Sequence, residues 1–164
     1  MSNELIVKIA DYKIAKSPAI ITTHGLGSCL AIVIYDPQLK IGGLAHVMLP
    51  EPDLVRNQSN PAKFATTAIK ELITTLEGMG CSRIRMVSKL VGGANMFSKL
   101  LNSGKTSYSN IGQRNTLQAK QELNNYGIPV VAEDTGADYG RSVEFLISSG
   151  TVIVHSFRAG LKEL

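Results

Sequence analysis

Tryptophan is absent, and phenylalanine and tyrosine bring the aromatic content to only 5% of 164 residues. A nucleic-acid surface built on stacked rings is therefore not expected, and no recognised nucleic-acid-binding motif occurs. Long apolar runs are missing too. The longest, Leu30 to Tyr35, falls far short of the ~20 residues that cross a bilayer, so no membrane insertion is expected. The first residues, MSNELIVKIADYK, lack the basic, apolar and small-residue succession of a secretory leader, which points to a cytoplasmic protein. Cysteine is scarce: Cys29 and Cys81 are the only two, and in a reducing compartment each is a thiol needing its own explanation. Blocks of like charge, internal repeats, low-complexity tracts and linkers are all lacking. The net charge of +4 favours acidic partners but is spread along the chain.

What is present is enough for one core. A 44% apolar content over this length fits a single domain spanning residues 1–164. ELIVKIADYKIAK and AIITT read as two strands separated at Pro18. CLAIVIYD and LAHVMLP flank the turn signal DPQLKIGG and read as a hairpin of buried strands. A helix follows: Asn60 is its N-cap, Pro61 its first residue, and Ala65, Ala68, Ile69, Leu72, Ile73 and Leu76 its apolar face, with Gly78 as its stop. RIRMVSKLVGG reads as a strand closed by a glycine turn, NTLQAKQELNNYG as a more polar helix capped by Gly127, and IPVVAED, SVEFLIS and TVIVHSF as three strands. Strands at both ends with helices between them indicate an α+β layered fold, not a regular βαβ alternation.

The segment TTHGLGSCL, residues 22–30, places Cys29 behind Gly25 and Gly27. A cysteine heading an apolar strand is commonly a small buried hydrophobe. Glycines before it, however, allow a tight turn that presents bare N–H groups, as an oxyanion hole requires. A catalytic thiol also needs a base. Of the histidines, His46 is the strongest candidate: pairing about a turn near residues 37 to 42 puts a residue close to position 50 opposite Cys29. His24 reads as a loop neighbour and His155 as half-buried strand. No acid is placed to orient the imidazole, because Asp36 lies at the far end of the Cys29 strand. Thr22 and Thr23 both carry a hydroxyl able to accept from an imidazole N–H, and spacing does not choose between them.

THGLGSCLAIVIYD, IGGLAHVMLP, GGANMF, IGQRN and DTGADYGRSVEF, in this order from about residue 20 to 157, resemble the CheD family of chemoreceptor glutamine deamidases. The resemblance implies a three-layer α/β/β sandwich similar to the cytotoxic necrotizing factor toxins and their cysteine-hydrolase relatives. It implies a Cys–His–Thr triad with Cys29 as nucleophile, His46 as base and Thr23 as its orienting residue, with Gly27 and Ser28 supporting the oxyanion loop. The implied reaction converts receptor glutamines to glutamates through a thioester, extends to glutamyl methyl esters, and uses no cofactor or metal. The implied partners are the cytoplasmic domains of methyl-accepting chemoreceptors and the CheC phosphatase. A regulatory binding module for CheC and receptors is the alternative. Met96 and Phe97 are candidates for substrate or partner contact, against a packing role at a helix start. Arg141 is a candidate guide for an acidic receptor helix, against a solvated surface charge. One departure stands out: where the family has two adjacent glycines, this chain has Gly136 followed by Ala137, which is strained if that position needs a positive φ.

Overall fold

The computed structural model describes residues 3–52, 60–96 and 110–164. In chain order the strands are β1 (Glu4–Val7), β2 (Asp11–Lys16), β3 (Ile20–Leu26), β4 (Leu30–Asp36), β5 (Ile41–Val47), β6 (Val87–Gly92), β7 (Val130–Thr135), β8 (Arg141–Leu146), β9 (Thr151–Ser156) and β10 (Gly160–Glu163). Two helices, α1 (Ala65–Gly78) and α2 (Ile111–Asn125), complete the set.

The apolar stripe expected on α1 is what buries it: all six stripe residues are at most 1% exposed. They pack on Leu30, Ile32 and Ile34 of β4 and on Ala45 and Val47 of β5, joined by Ala119 and Leu123 of α2. Each such large side chain contributes roughly 1.5–3 kcal/mol through removal from water. The other face of β4 and β5 sends Ala31, Val33, Tyr35 and Leu44 into a second cluster with Ile21, Val143, Phe145, Val152 and Val154. Three layers result: helices, a sheet of order β2-β5-β4-β6-β7, and a sheet of order β1-β3-β8-β9-β10. β4 is buried at every position, which explains why its sequence is continuously apolar instead of alternating. The α/β/β arrangement expected from the sequence is present.

Several boundaries differ from the sequence expectation. ELIVKIADYKIAK is two strands in different sheets. Ala10 adopts φ 60 between them and donates its N–H to the His46 carbonyl at 2.9 Å, so the chain crosses from one sheet to the other there. Asn60 does cap, its Oδ1 accepting from Ala62 N at 3.0 Å, but it caps a 3-10 turn over Pro61–Lys63. Phe64 is then extended, and α1 starts only at Ala65. α2 begins at Ile111, ahead of the expected Asn115. Arg83–Arg85 form a 3-10 turn before β6 and free Arg85 to bind Asp36. The closing strand β10, paired antiparallel with β9, was not expected, because RAGLKEL has little β-branched content. No described helix is long and apolar enough to cross a membrane.

Ala137 takes φ 57 beside Gly136 at φ 82. The pair docks on the turn after β6, with Gly136 N donating to Gly92 O at 2.9 Å and Ala137 O accepting from Asn95 N at 2.8 Å. A left-handed alanine costs about 1 kcal/mol relative to glycine. Ala137→Gly should therefore stabilise the protein by about 1 kcal/mol, a rise of roughly 2–4 °C in thermal midpoint for a domain of this size. An unchanged or lowered midpoint by calorimetry would remove the strain from the account.

Candidate active site

The β4–β5 hairpin sets the first two candidate side chains. Its register pairs Leu30 with Val47 and Ala31 with His46. Extended by one residue, that register puts position 48 opposite Cys29, so His46 is the diagonal neighbour of Cys29 on the same face. That face is the one turned to the other sheet, since Ala31 and Leu44 share it. His46 is therefore wholly buried between the sheets.

The opposite sheet supplies the orienting group. Thr23, on β3, has its Oγ1 2.7 Å from His46 Nδ1 and 2.7 Å from the Val7 carbonyl. A hydroxyl has one proton, and a carbonyl takes it, so toward the imidazole Thr23 accepts and Nδ1 carries the hydrogen. The lone pair is thus on Nε2, which is buried and has no partner among the described residues. Burial holds the imidazole far below its ordinary range, down to about 4. His46 is a neutral base with its acceptor nitrogen open. Thr22 points to the far side of β3, its Oγ1 3.5 Å from Leu5 O, and does not meet the imidazole.

Cys29 is half-buried at the head of β4. Burial pushes its thiol up, with its own backbone N–H opposing. The loop before it is held from behind: Ala94 N donates to Gly27 O at 2.9 Å and Gly93 N to Cys29 O at 2.8 Å. Gly92 permits this approach, and Gly93 admits α2 beside it. A Cβ on Gly92 would collide with the Cys29 carbonyl oxygen, and one on Gly93 with Thr116 Oγ1. A side chain that the sequence reading did not single out completes the hold. Asn115 of α2 donates from Nδ2 to Ser28 O and to Met48 O, each at 3.0 Å. A signal for it existed: Asn115 lies in the i, i+4, i+8 register of Ala119 and Leu123, so a polar residue sits on the buried face of a polar helix.

With this geometry, similarity to known proteins becomes informative. The family model described as CheD chemotactic sensory transduction matches residues 48–156. A protein of Caldanaerobacter subterraneus called a probable chemoreceptor glutamine deamidase CheD is 47% identical over 98% of both chains. One of Geobacter metallireducens, called a probable chemoreceptor glutamine deamidase CheD 2, is 42% identical over 100% of both. The chain belongs to the CheD family. Among solved structures, a Neisseria meningitidis protein of the DUF152 family superposes with a TM-score of 0.53 at 11% identity, covering 82% of this chain and 64% of that one. That likeness concerns the fold. The matched span of the CheD model starts after Cys29 and His46, whereas the full-length relatives extend across both.

The other candidates in this CheD chain divide. Met96 lies over the loop before Cys29, where a Cβ on Gly27 would come within 3.2 Å of its Cγ, and it remains 45% exposed. Phe97 lies outside the described residues. Arg141 is neither a solvated charge nor a free guide for acidic helices. Its side chain is buried, with Nε 3.3 Å from Asp134, Nη1 2.9 Å from Gly136 O, and the guanidinium over the Tyr139 ring. It shapes the loop that carries Ala137. His155 pairs with Glu144 at 3.0 Å, away from Thr23 and His46, on the outer face of its sheet. His24 is exposed. Asp36, at the other end of β4, is held by Arg85 at 2.8 Å, and buried Cys81 is its neighbour.

Burial shifts both the thiol and the imidazole toward their neutral forms, so a neutral thiol beside a neutral imidazole is the expected resting state. Alkylation of Cys29 by iodoacetamide should rise about tenfold per pH unit between pH 6 and 8. A plateau there would show an ion pair instead. The imidazole also links stability to pH. The unfolded chain takes up the proton near 6.5 and the folded one near 4, so the stability this residue contributes is complete above 6.5 and lost towards 4, by about 3 kcal/mol. Urea midpoints should show this loss in wild type and not in His46→Gln; parallel acid profiles would contradict it.

Proposed function

We propose that this protein is a chemoreceptor glutamine deamidase working as a cysteine amidohydrolase. The observation that carries the reading is the Thr23–His46 contact, which fixes the imidazole tautomer and leaves Nε2 without a described partner on a ring that shares a sheet face with Cys29. The family relatives named for this activity support the same reading.

In the proposed reaction the Cys29 sulfur attacks the carboxamide carbon of a receptor glutamine while its proton passes to His46 Nε2. The tetrahedral oxyanion is met by the N–H groups of Ser28 and Cys29, neither of which is taken by an acceptor of another described residue. Collapse breaks the C–N bond, Nε2 returns the proton, and ammonia leaves a thioester. Water then attacks the thioester, giving its proton to Nε2, and glutamate departs as the thiol is restored. A glutamyl methyl ester offers an equivalent carbonyl with methanol as leaving group, and we include it as a second substrate. Met96, exposed beside Gly27, contacts the incoming receptor segment. CheC is assigned as regulatory partner on the sequence resemblance alone.

Receptor cytoplasmic fragments incubated with the protein should show glutamine-to-glutamate conversion by mass spectrometry. Cys29→Ala should abolish it. His46→Ala should lower it by about 10²–10⁴-fold, and Thr23→Val by less, because the imidazole remains but loses its fixed tautomer. Cys81→Ser should keep wild-type activity. Deamidation retained by a folded Cys29→Ala protein would sink the mechanism, and its loss in folded Cys81→Ser alone would identify the other thiol as the nucleophile.

A further inference from the structure

The three successive carbonyls of the nucleophile loop are all engaged. Gly27 O accepts from Ala94 N at 2.9 Å, Ser28 O from Asn115 Nδ2 at 3.0 Å, and Cys29 O from Gly93 N at 2.8 Å. The outer two are backbone contacts made by the segment that leaves β6. The middle one depends on a single side chain. A peptide unit is planar, so holding its carbonyl also aims the N–H on its opposite edge. The Ser28 carbonyl shares its plane with the Cys29 N–H, one of the donors proposed for the oxyanion.

Asn115 is wholly buried, so it grips this peptide from the interior and turns the Cys29 N–H away from itself, toward the half-buried side where the thiol lies. Its second Nδ2 hydrogen goes to Met48 O at 3.0 Å, two residues beyond His46. The same amide thereby ties the nucleophile loop to the strand of the base. Two carbonyls facing one nitrogen also settle the amide orientation, since the flipped form would set oxygen against oxygen. The remaining Oδ1 is buried with no partner among the described residues.

We infer that Asn115 is a positioning residue for the oxyanion hole. By locking the Ser28–Cys29 peptide, it keeps the Cys29 N–H directed at the oxygen on which charge develops. This rests on Cys29 being the nucleophile. Alkylation separates the two roles of the loop, because displacement by the sulfur on iodoacetamide forms no oxyanion and needs only the thiol and its base.

The test uses the full-length chain as Asn115→Asp, which keeps the shape but at neutral pH has no N–H to give, and as Asn115→Leu, which removes both polar ends. In each, receptor deamidation should fall about 10²–10³-fold in kcat with KM within about threefold of wild type. The alkylation rate of Cys29 should stay within about threefold. A folded variant with wild-type kcat overturns the inference. So does alkylation that slows in step with kcat, since Asn115 would then act on the thiol itself. If neither variant folds, Asn115 is a structural residue and the positioning role is rejected. Deamidation retained by Cys29→Ala would instead refute the reading of the site. An inactive Cys29→Ala beside fully active Asn115 variants would refute only the role of Asn115.

Discussion

A hydroxyl that donates its one proton to a carbonyl and accepts another from an imidazole organises this molecule. Thr23 projects from one sheet, gives its hydrogen to the Val7 carbonyl of the neighbouring strand, and receives the Nδ1 hydrogen of His46 from the other sheet. The layer between the sheets is otherwise dominated by aliphatic and aromatic side chains. A polar contact placed there has few alternatives, because an imidazole without a partner in such surroundings would be costly to bury. The contact requires three registers at once: β1 on β3, β4 on β5, and one sheet over the other. A slip of one residue in any of these strands would turn a member of the chain of bonds to the wrong face.

The loop carrying Cys29 obeys a second constraint, that backbone must approach backbone closely. Gly92 lets the end of β6 run against the Cys29 carbonyl, and Gly93 and Gly112 let the first turn of α2 sit on the same bend, where a Cβ would strike Thr116 Oγ1 or the Ala94 oxygen. The helix therefore arrives near enough for one of its side chains to reach into the loop. Site rigidity here comes from hydrogen bonds to the rear of the peptide groups, which leaves the N–H edges of Ser28 and Cys29 clear of other described residues.

Much of this was legible in the chain, and the unread part has a common cause. The Cys29 and His46 strands are adjacent in sequence and joined by an obvious turn, so their proximity followed from a hairpin and a rough register. Thr23 could not be separated from Thr22 by spacing, because only the face of β3 that meets the other sheet distinguishes them. Asn115 is some seventy positions from His46, and nothing local to α2 says which loop its buried amide will meet. Arg141 looked like a surface charge because a lone arginine carries no mark of burial, yet Asp134, Gly136 and Tyr139 enclose it. The helix stripe of α1 was plain, while its start was displaced by a short turn that uses the same capping asparagine. The crossing at Ala10 had no glycine, proline or asparagine to announce it.

Val7 closes a strand of only four residues at the rim of its sheet, held by β3 alone among the strands. Its carbonyl nonetheless decides which nitrogen of a distant ring bears hydrogen. Were β1 peeled away, the Thr23 hydroxyl would be free to rotate and donate to Nδ1, and the ring's own hydrogen would move to Nε2. A tug on the amino-terminal edge would then act as a chemical switch, turning Nε2 from a proton acceptor into a donor without touching Thr23, His46 or Cys29.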